Sequence, residues 1–198
     1  NLAAADTNPP ATAQMGSIAV PVSLISGSAD TIVPVGTNGQ LMYNAGRAPK
    51  LLPVIQGGWH CGFEDVSTFG CDSGPMPRAE QLFLTRRLLA SFFRLYLGGD
   101  QAAWDVVWGP GRDSDARVVT TAASGIGVTP GVVSAAAFQN MEMTTGFVVT
   151  NSGPVARSYA VLVEGAEWPL VAVPMQTGPV APGQSVPFEV RVTAPPGW

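Results

Sequence analysis

Two residues that could carry out proton-transfer chemistry each follow a short apolar run of the chain. Asp30 comes after the run in residues 21–25, and His60, the only histidine, comes after the run in residues 51–55. Glycine ends each run before the ionisable residue. Histidine, with an unperturbed pKa of about 6.5, can take up and release a proton near neutral pH, and a carboxylate can orient its ring. The pattern predicts an acid–histidine pair at the carboxyl ends of two strands.

An acid and a histidine in this order are two of the three members of a serine-hydrolase triad. The third member, a serine in a Gly-x-Ser-x-Gly turn, is absent, and no serine has glycine at both the −2 and +2 positions. Plainer explanations exist for both residues: His60 without a role, and Asp30 as the cap of a helix starting near Val35. Asp65 is a second candidate acid, or an exposed loop residue.

The composition restricts the functional class. The chain of 198 residues is 46% hydrophobic and 12% charged, with a net charge of −4. This charge argues against a nucleic-acid partner, which needs a basic surface to neutralise phosphates. No apolar run approaches the roughly 20 residues of a transmembrane helix. We find no metal-ligand spacing and no phosphate-binding glycine loop, so no cofactor is expected.

The two cysteines, Cys61 and Cys71, lie ten residues apart, beside the histidine. They could form a disulfide that ties down the histidine loop, or remain two reduced thiols. A thiolate nucleophile at Cys61 is unattractive, because its base would have to be its own neighbour. A disulfide and the single lysine, Lys50, favour an exported protein, and Asn1 indicates that any targeting peptide has been removed or is not included.

Strand-like and helical patterns alternate over the first hundred residues. We predict strands at 19–26 and 51–56, helices at 36–47 and 78–97, and one further helical turn at 101–107. Strand–helix–strand–helix order is typical of a parallel sheet with helical crossovers. Because both strands are apolar throughout, both faces of the sheet should be covered. Two strands cannot form such a sheet alone, so this region is predicted to be one edge of a larger sheet.

The pattern changes near residue 110, after which short β-type runs alternate with turns. Strands are predicted at 117–121, 132–138, 144–151, 157–164, 170–173 and 186–192, with turns at 151–154 and 181–184. Such spacing favours an antiparallel sandwich of immunoglobulin-like type. The predicted domains are therefore residues 1–110, of α/β class, and residues 117–198, an all-β sandwich.

The first hundred residues resemble the carboxyl-terminal part of an α/β-hydrolase, of the secreted lipase, esterase or dienelactone-hydrolase-like type. The acid-bearing loop is matched by Gly27-Ser28-Ala29-Asp30-Thr31-Ile32-Val33-Pro34, and the histidine loop by Gly57-Gly58-Trp59-His60-Cys61-Gly62-Phe63. The segment at 2–10 resembles the loop after the family's sixth strand, and the helix at 78–97 its last helix. The first six strands, the nucleophile and the oxyanion-hole donors have no counterpart.

The resemblance implies a secreted serine carboxylic-ester hydrolase that acts through an acyl-enzyme, with Asp30 and His60 as catalytic residues. The serine would come from a companion polypeptide or a missing N-terminal segment, so the chain would be a fragment, a processed product or half of a nicked enzyme, inactive alone. Polymeric esters and lipids are the candidate substrates, by analogy only. Trp59 and Phe63 could line an acyl pocket or pack beneath the loop.

Two alternatives remain open. The chain could be a non-catalytic binding or structural component in which a degenerate hydrolase remnant supports the sandwich. Among enzymes, the same acid–histidine pair could serve a haloperoxidase or dehalogenase, which release of halide would distinguish from ester hydrolysis.

Overall fold

The computed structural model describes residues 5–6, 10–66, 69–153, 155–163 and 168–196. The chain divides into two compact units, Asn1–Ser124 and Gly125–Trp198. Most of the segment at 2–10, whose resemblance to a hydrolase loop was noted above, lies outside the described residues. In the described part of the chain, no helix is both long and apolar enough to cross a bilayer.

The first unit contains a mixed sheet built around one central strand. Strand β3 (Lys50–Ile55) pairs in parallel with two short strands, β1 (Val22–Ser23) and β2 (Ser26–Gly27). It also pairs along its whole length, in antiparallel orientation, with β4 (Val118–Ala123). The two predicted strands and their parallel pairing are therefore confirmed. The sequence predicts a larger sheet than these two strands can form, and β4 of this same chain provides part of it.

The division between β1 and β2 has a local cause in Pro53. Val22 pairs with Lys50 and Ser26 with Val54, so the register is the same on both sides of the gap. The Leu24 amide donates to the Leu51 carbonyl at 2.9 Å, which leaves the Leu24 carbonyl facing position 53. Proline has no amide hydrogen to donate there. Residues 22–27 therefore form one interrupted strand that leads directly into the Asp30 loop.

Among the described residues of this unit, four α-helices accompany the sheet. They are α1 (Thr12–Met15), α2 (Gly39–Ala45), α3 (Arg78–Tyr96) and α4 (Trp104–Val107). Helix α3 nearly coincides with the predicted helix, and α2 is the core of the predicted helix at 36–47, preceded by a 3-10 turn at Val35–Thr37. The predicted turn at 101–107 is a 3-10 turn followed by α4.

Both faces of the sheet are covered, as the apolar strands predict. The first cluster lies between the sheet and α1 and α2; it contains Met15, Leu24, Met42, Tyr43 and Leu52. The second lies between the sheet and α3; it contains Ile25, Ile55, Met76, Leu84 and Val118. Neighbouring residues of one strand, such as Leu24 and Ile25, thus enter opposite cores, because successive side chains of a strand point to opposite faces.

Strand β4 belongs to the first unit, although the composition change near residue 110 placed it with the β-rich region. Arg117, at its start, pairs with Asp115 at 2.8 Å and with Glu80 of α3 at 2.9 Å. Arg87 of α3 lies 3.5 Å from the same Asp115 carboxylate. Composition cannot reveal this pairing, because an antiparallel edge strand and a sandwich strand have the same residue pattern.

The second unit contains an antiparallel sheet of four strands in the order β5-β6-β8-β7. The strands are β5 (Ile126–Thr129), β6 (Glu142–Asn151), β7 (Leu170–Val173) and β8 (Ser185–Thr193). In β8, Phe188 is buried while Glu189 and Arg191 are exposed, as expected for a strand with one face toward a core. Phe188 stacks on its cross-strand partner Phe147, with ring centroids 5.3 Å apart.

Two predicted strands of this unit are absent or reduced. Residues 132–138 have no regular structure and are exposed, except for Ala137, which is half-buried. Of the predicted strand at 157–164, the described residues form two isolated bridges, Arg157–Val180 and Ala160–Gln176; residue 164 lies outside the described residues, as does residue 154 of the predicted turn. One four-stranded sheet is thus described, and the immunoglobulin-like arrangement remains a prediction.

Candidate active site

The loops after the two parallel strands are joined directly through their backbones. The Ala29 amide donates to the Gly58 carbonyl at 2.8 Å, and the Gly57 amide donates to the Ser28 hydroxyl at 2.7 Å. Gly27 lies so close to Gly58 that a Cβ atom at position 27 would overlap the Gly58 carbonyl group. The glycines that end both apolar runs therefore allow the two loops to approach each other.

This approach brings the predicted acid and histidine together. Oδ2 of Asp30 lies 3.0 Å from Nδ1 of His60. The Asp30 side chain is 0% exposed, whereas the His60 side chain is 26% exposed. The carboxylate is therefore enclosed by protein, and the imidazole reaches the surface of the unit. An ionised carboxylate only accepts hydrogen bonds, so the pairing places a hydrogen on Nδ1 and leaves the lone pair on Nε2.

The second carboxylate oxygen of Asp30 forms hydrogen bonds within the Asp30 loop. Oδ1 accepts the backbone amides of Ile32 at 3.0 Å and Val33 at 2.6 Å. The 3-10 turn at Val35–Thr37 begins after Pro34 and has no side-chain cap, so Asp30 caps the preceding turn and not that helical segment. Oδ2 thus contacts the imidazole while Oδ1 binds the backbone of the loop, and the loop holds the carboxylate in a fixed orientation toward the imidazole.

The histidine loop is anchored on α3 through Gln81, which the sequence analysis did not single out. Gln81 is 0% exposed; its Oε1 accepts the Trp59 amide at 3.1 Å, and its Nε2 donates to the Trp59 carbonyl at 2.8 Å. The Trp59 indole is buried and donates to the Met76 carbonyl at 3.0 Å. Trp59 therefore packs beneath the loop, which is one of the two roles considered for it, and Phe63 packs against the core under α3.

Cys61 and Cys71 form a disulfide, with their Cα atoms 5.7 Å apart. The bridge excludes a thiolate nucleophile at Cys61. Among the described residues, one group of metal-ligating side chains is clustered, namely Cys61, Glu64 and Cys71. The two sulfurs are bonded to each other in the disulfide, so the Glu64 carboxylate is the one remaining ligand of the cluster. The cluster therefore does not fit a metal ion.

Asp72, directly after the second cysteine, is a further residue that the sequence analysis did not single out. Its Oδ2 accepts the backbone amides of His60 at 3.0 Å and Thr31 at 3.2 Å, and its Oδ1 accepts that of Cys61 at 3.1 Å. Partial burial acts to raise the pKa of Asp72, but these three amides outweigh it and lower the pKa below its usual value. The Asp72 carboxylate is therefore anionic at neutral pH.

Asp65, the second candidate acid, has a different environment. Its side chain is 85% exposed, and its oxygen lies 3.5 Å from Arg86 of α3. This matches the alternative of an exposed loop residue, and Asp30 is the acid that contacts the imidazole.

Signals for the two residues that were missed are present in the sequence. Gln81, Leu84 and Leu88 recur at helical spacing on the inner face of α3, so Gln81 is a polar residue at a core position. Asp72 adjoins Cys71, and a disulfide to Cys61 places it next to the histidine loop. Neither signal predicts which backbone group the side chain binds, because the amides and carbonyls of the loops reach these side chains only in the folded chain.

No protein-family model matches the chain, and no curated protein matches it either. The basis for assigning a function is therefore the pairing of Asp30 with His60: a buried carboxylate, an oriented imidazole and a ring that reaches the surface. Chemically, this arrangement can accept a proton at Nε2, hold it as imidazolium stabilised by the carboxylate, and return it.

Proposed function

We propose that this chain supplies the acid and the histidine of a serine carboxylic-ester hydrolase of the α/β-hydrolase type. The single observation that carries the proposal is the 3.0 Å contact between Asp30 Oδ2 and His60 Nδ1, made by loops that follow adjacent parallel strands. The mixed sheet, in which β1 and β2 pair in parallel with β3 and which has cores on both faces, is consistent with that class of fold. The nucleophilic serine lies outside the 198 residues.

In the proposed reaction, Nε2 of His60 removes the proton from a serine hydroxyl as that oxygen attacks the ester carbonyl. The resulting imidazolium donates the proton to the departing alcohol, which leaves an acyl-enzyme. Water, deprotonated by the same nitrogen, then attacks the acyl group, and the imidazolium returns that proton to the serine oxygen as the acid is released. Asp30 accepts a hydrogen bond from the Nδ1–H group throughout, so that the ring keeps one tautomer and its transient positive charge is stabilised.

The disulfide next to His60 and the low lysine content favour a secreted protein, since disulfides persist in oxidising compartments. Insoluble esters, either polyesters or lipids, are the proposed substrate class, and the β-rich unit is a candidate for contact with them. This part of the proposal rests on analogy with exported hydrolases that carry an additional β domain.

A fluorophosphonate probe, which reacts with activated serines, tests the proposal on the protein isolated from its source. After labelling, a denaturing intact-mass spectrum shows which polypeptide carries the adduct. We expect one adduct, either on a second chain that accompanies this one or on a larger polypeptide that contains its sequence. A lone chain near 20.5 kDa without an adduct would contradict the proposal and favour a binding component.

Matched variants of the labelled protein separate chemistry from folding. His60→Ala should abolish labelling, because the serine loses its base, whereas Asp65→Asn, a change at an exposed carboxylate, should leave labelling intact. Labelling that survives His60→Ala would show that the serine is activated by another base.

A further inference from the structure

We propose that Asp72 is a positioning residue that holds the Asp30 loop and the His60 loop in the register required for their side chains to pair. This inference rests on the proposed function, and it names a residue that acts through the Asp30–His60 pair, here called the dyad, without contacting the reacting atoms. It starts from the three backbone amides at the Asp72 carboxylate, which come from two loops that follow different strands.

The three amides that bind Asp72 lie at or next to the residues of the dyad. One donor is the amide of His60 itself, and another is the amide of Thr31, which directly follows Asp30. The Asp72 carboxylate therefore contacts the backbone at one member of the dyad and next to the other. A displacement of either loop would lengthen both a bond to Asp72 and the Asp30–His60 bond. Because charged acceptors form the stronger hydrogen bonds, one carboxylate with three amides resists such a displacement effectively.

Asp72 is in turn held in place by covalent and packing contacts. The disulfide fixes Cys71, its neighbour, to Cys61, whose amide is the third donor. Further along, the Met76 amide donates to the Gly57 carbonyl at 3.1 Å, and a Cβ atom at Gly74 would overlap Gly57 and Trp59. Residues 72–76 therefore lie against the histidine loop, and the carboxylate cannot move away without breaking these contacts.

The test uses the 198-residue chain itself, labelled with ¹⁵N, because its single histidine gives one imidazole signal to follow. Amide hydrogen exchange is measured at Thr31, His60 and Cys61, and the Nδ1–H signal of His60 is recorded in the same samples. The variants are Asp72→Ala and Asp72→Asn, with Asp65→Ala as the control at an exposed carboxylate of the same loop.

In Asp72→Ala, we expect exchange at the three amides to accelerate roughly 10-fold or more. We also expect the Nδ1–H signal to be lost, because the dyad opens. Asp65→Ala should change neither readout. A merely structural role for Asp72 would alter the amides and leave the Nδ1–H signal in place, and that result, like unchanged exchange, would overturn the proposal.

Asp72→Asn decides the question if the alanine variant fails to fold. Its amide oxygen can replace Oδ2, while its NH2 group would face the Cys61 amide. We therefore expect the fastest exchange at Cys61, smaller changes at Thr31 and His60, and an Nδ1–H signal that is weakened. Equal exchange in this variant and the wild type would overturn the proposal. Since no readout involves ester hydrolysis, a failure here is distinct from a failure of the fluorophosphonate test.

Discussion

Oδ2 of Asp30 lies 3.0 Å from Nδ1 of His60, with the carboxylate fully enclosed and the imidazole about a quarter exposed. The contact joins two loops that are themselves bonded backbone to backbone, through the Ala29 amide and the Gly58 carbonyl. The side chains therefore need no rearrangement to pair. A ring that is oriented before any substrate arrives loses little entropy on reaction, as efficient proton transfer requires.

The first prediction concerns the tautomer of His60. In Asp30→Asn, the side-chain amide can donate to Nδ1, so the neutral ring should carry its hydrogen on Nε2 instead. The ¹⁵N shifts of the single histidine report this change directly, and in the assembled enzyme turnover should fall about 10⁴-fold. Asp65→Asn is the control, and an unchanged tautomer in Asp30→Asn would show that Asp30 does not orient the ring.

The second prediction concerns the contact between Gly27 and Gly58. In Gly27→Ala, the added Cβ would overlap the Gly58 carbonyl, so the loops must separate. We expect the free energy of unfolding to fall by about 1–3 kcal/mol or more, as for other overpacked sites, with loss of the His60 Nδ1–H signal. Urea unfolding provides the measurement.

Gly36→Ala is the matched control for this substitution, because no atom lies within 4 Å of its added Cβ. Equal stability of the two variants would contradict the close approach of the loops.

The third prediction concerns Gln81, whose side chain pairs with both backbone groups of Trp59. Gln81→Leu keeps the volume but leaves a buried amide and a buried carbonyl unpaired. Each such group costs about 1–3 kcal/mol, so the free energy of unfolding should fall by about 2–6 kcal/mol. Urea unfolding followed by tryptophan fluorescence measures the loss.

Gln56→Leu is the control for Gln81→Leu. Gln56 is exposed and its side chain bonds within its own strand, so we expect a change below about 0.5 kcal/mol. A similarly small change for Gln81→Leu would mean that the histidine loop does not depend on α3.

The fourth prediction concerns acid stability. The hydrogen bonds from the Arg117 side chain are the main cause that lowers the pKa of Asp115 from 3.8 to about 2. Because the folded pKa is lower than the unfolded pKa, the stabilisation is complete above pH 4 and is lost as the pH falls toward 2. The wild type should therefore exceed Asp115→Asn in stability at pH 6, and the difference should shrink between pH 4 and pH 2.

Urea unfolding at several pH values measures this difference, with Asp65→Asn as the control at an exposed carboxylate. A difference between the wild type and Asp115→Asn that is independent of pH would show that Asp115 acts through packing and not through its charge.

The sequence by itself determined the two apolar strand segments of the first unit, helices α2 and α3, and the positions of Asp30 and His60 after those strands. Apolar runs that end in glycine define strands buried on both faces, and the ionisable residue that follows each run must lie at the same end of a parallel sheet. The spacing of apolar residues also defines α3. These features are local, so periodicity and turn residues suffice to identify them.

The tertiary structure alone decided that β4 joins the first sheet and which groups hold the loops of the site in place. The pairing of β4 with β3 joins residues more than sixty positions apart, and no local pattern distinguishes it from a strand of the second unit. Gln81 and Asp72 act on backbone amides and carbonyls, which every residue carries. Only the folded chain determines which of these groups come within hydrogen-bonding distance of a given side chain.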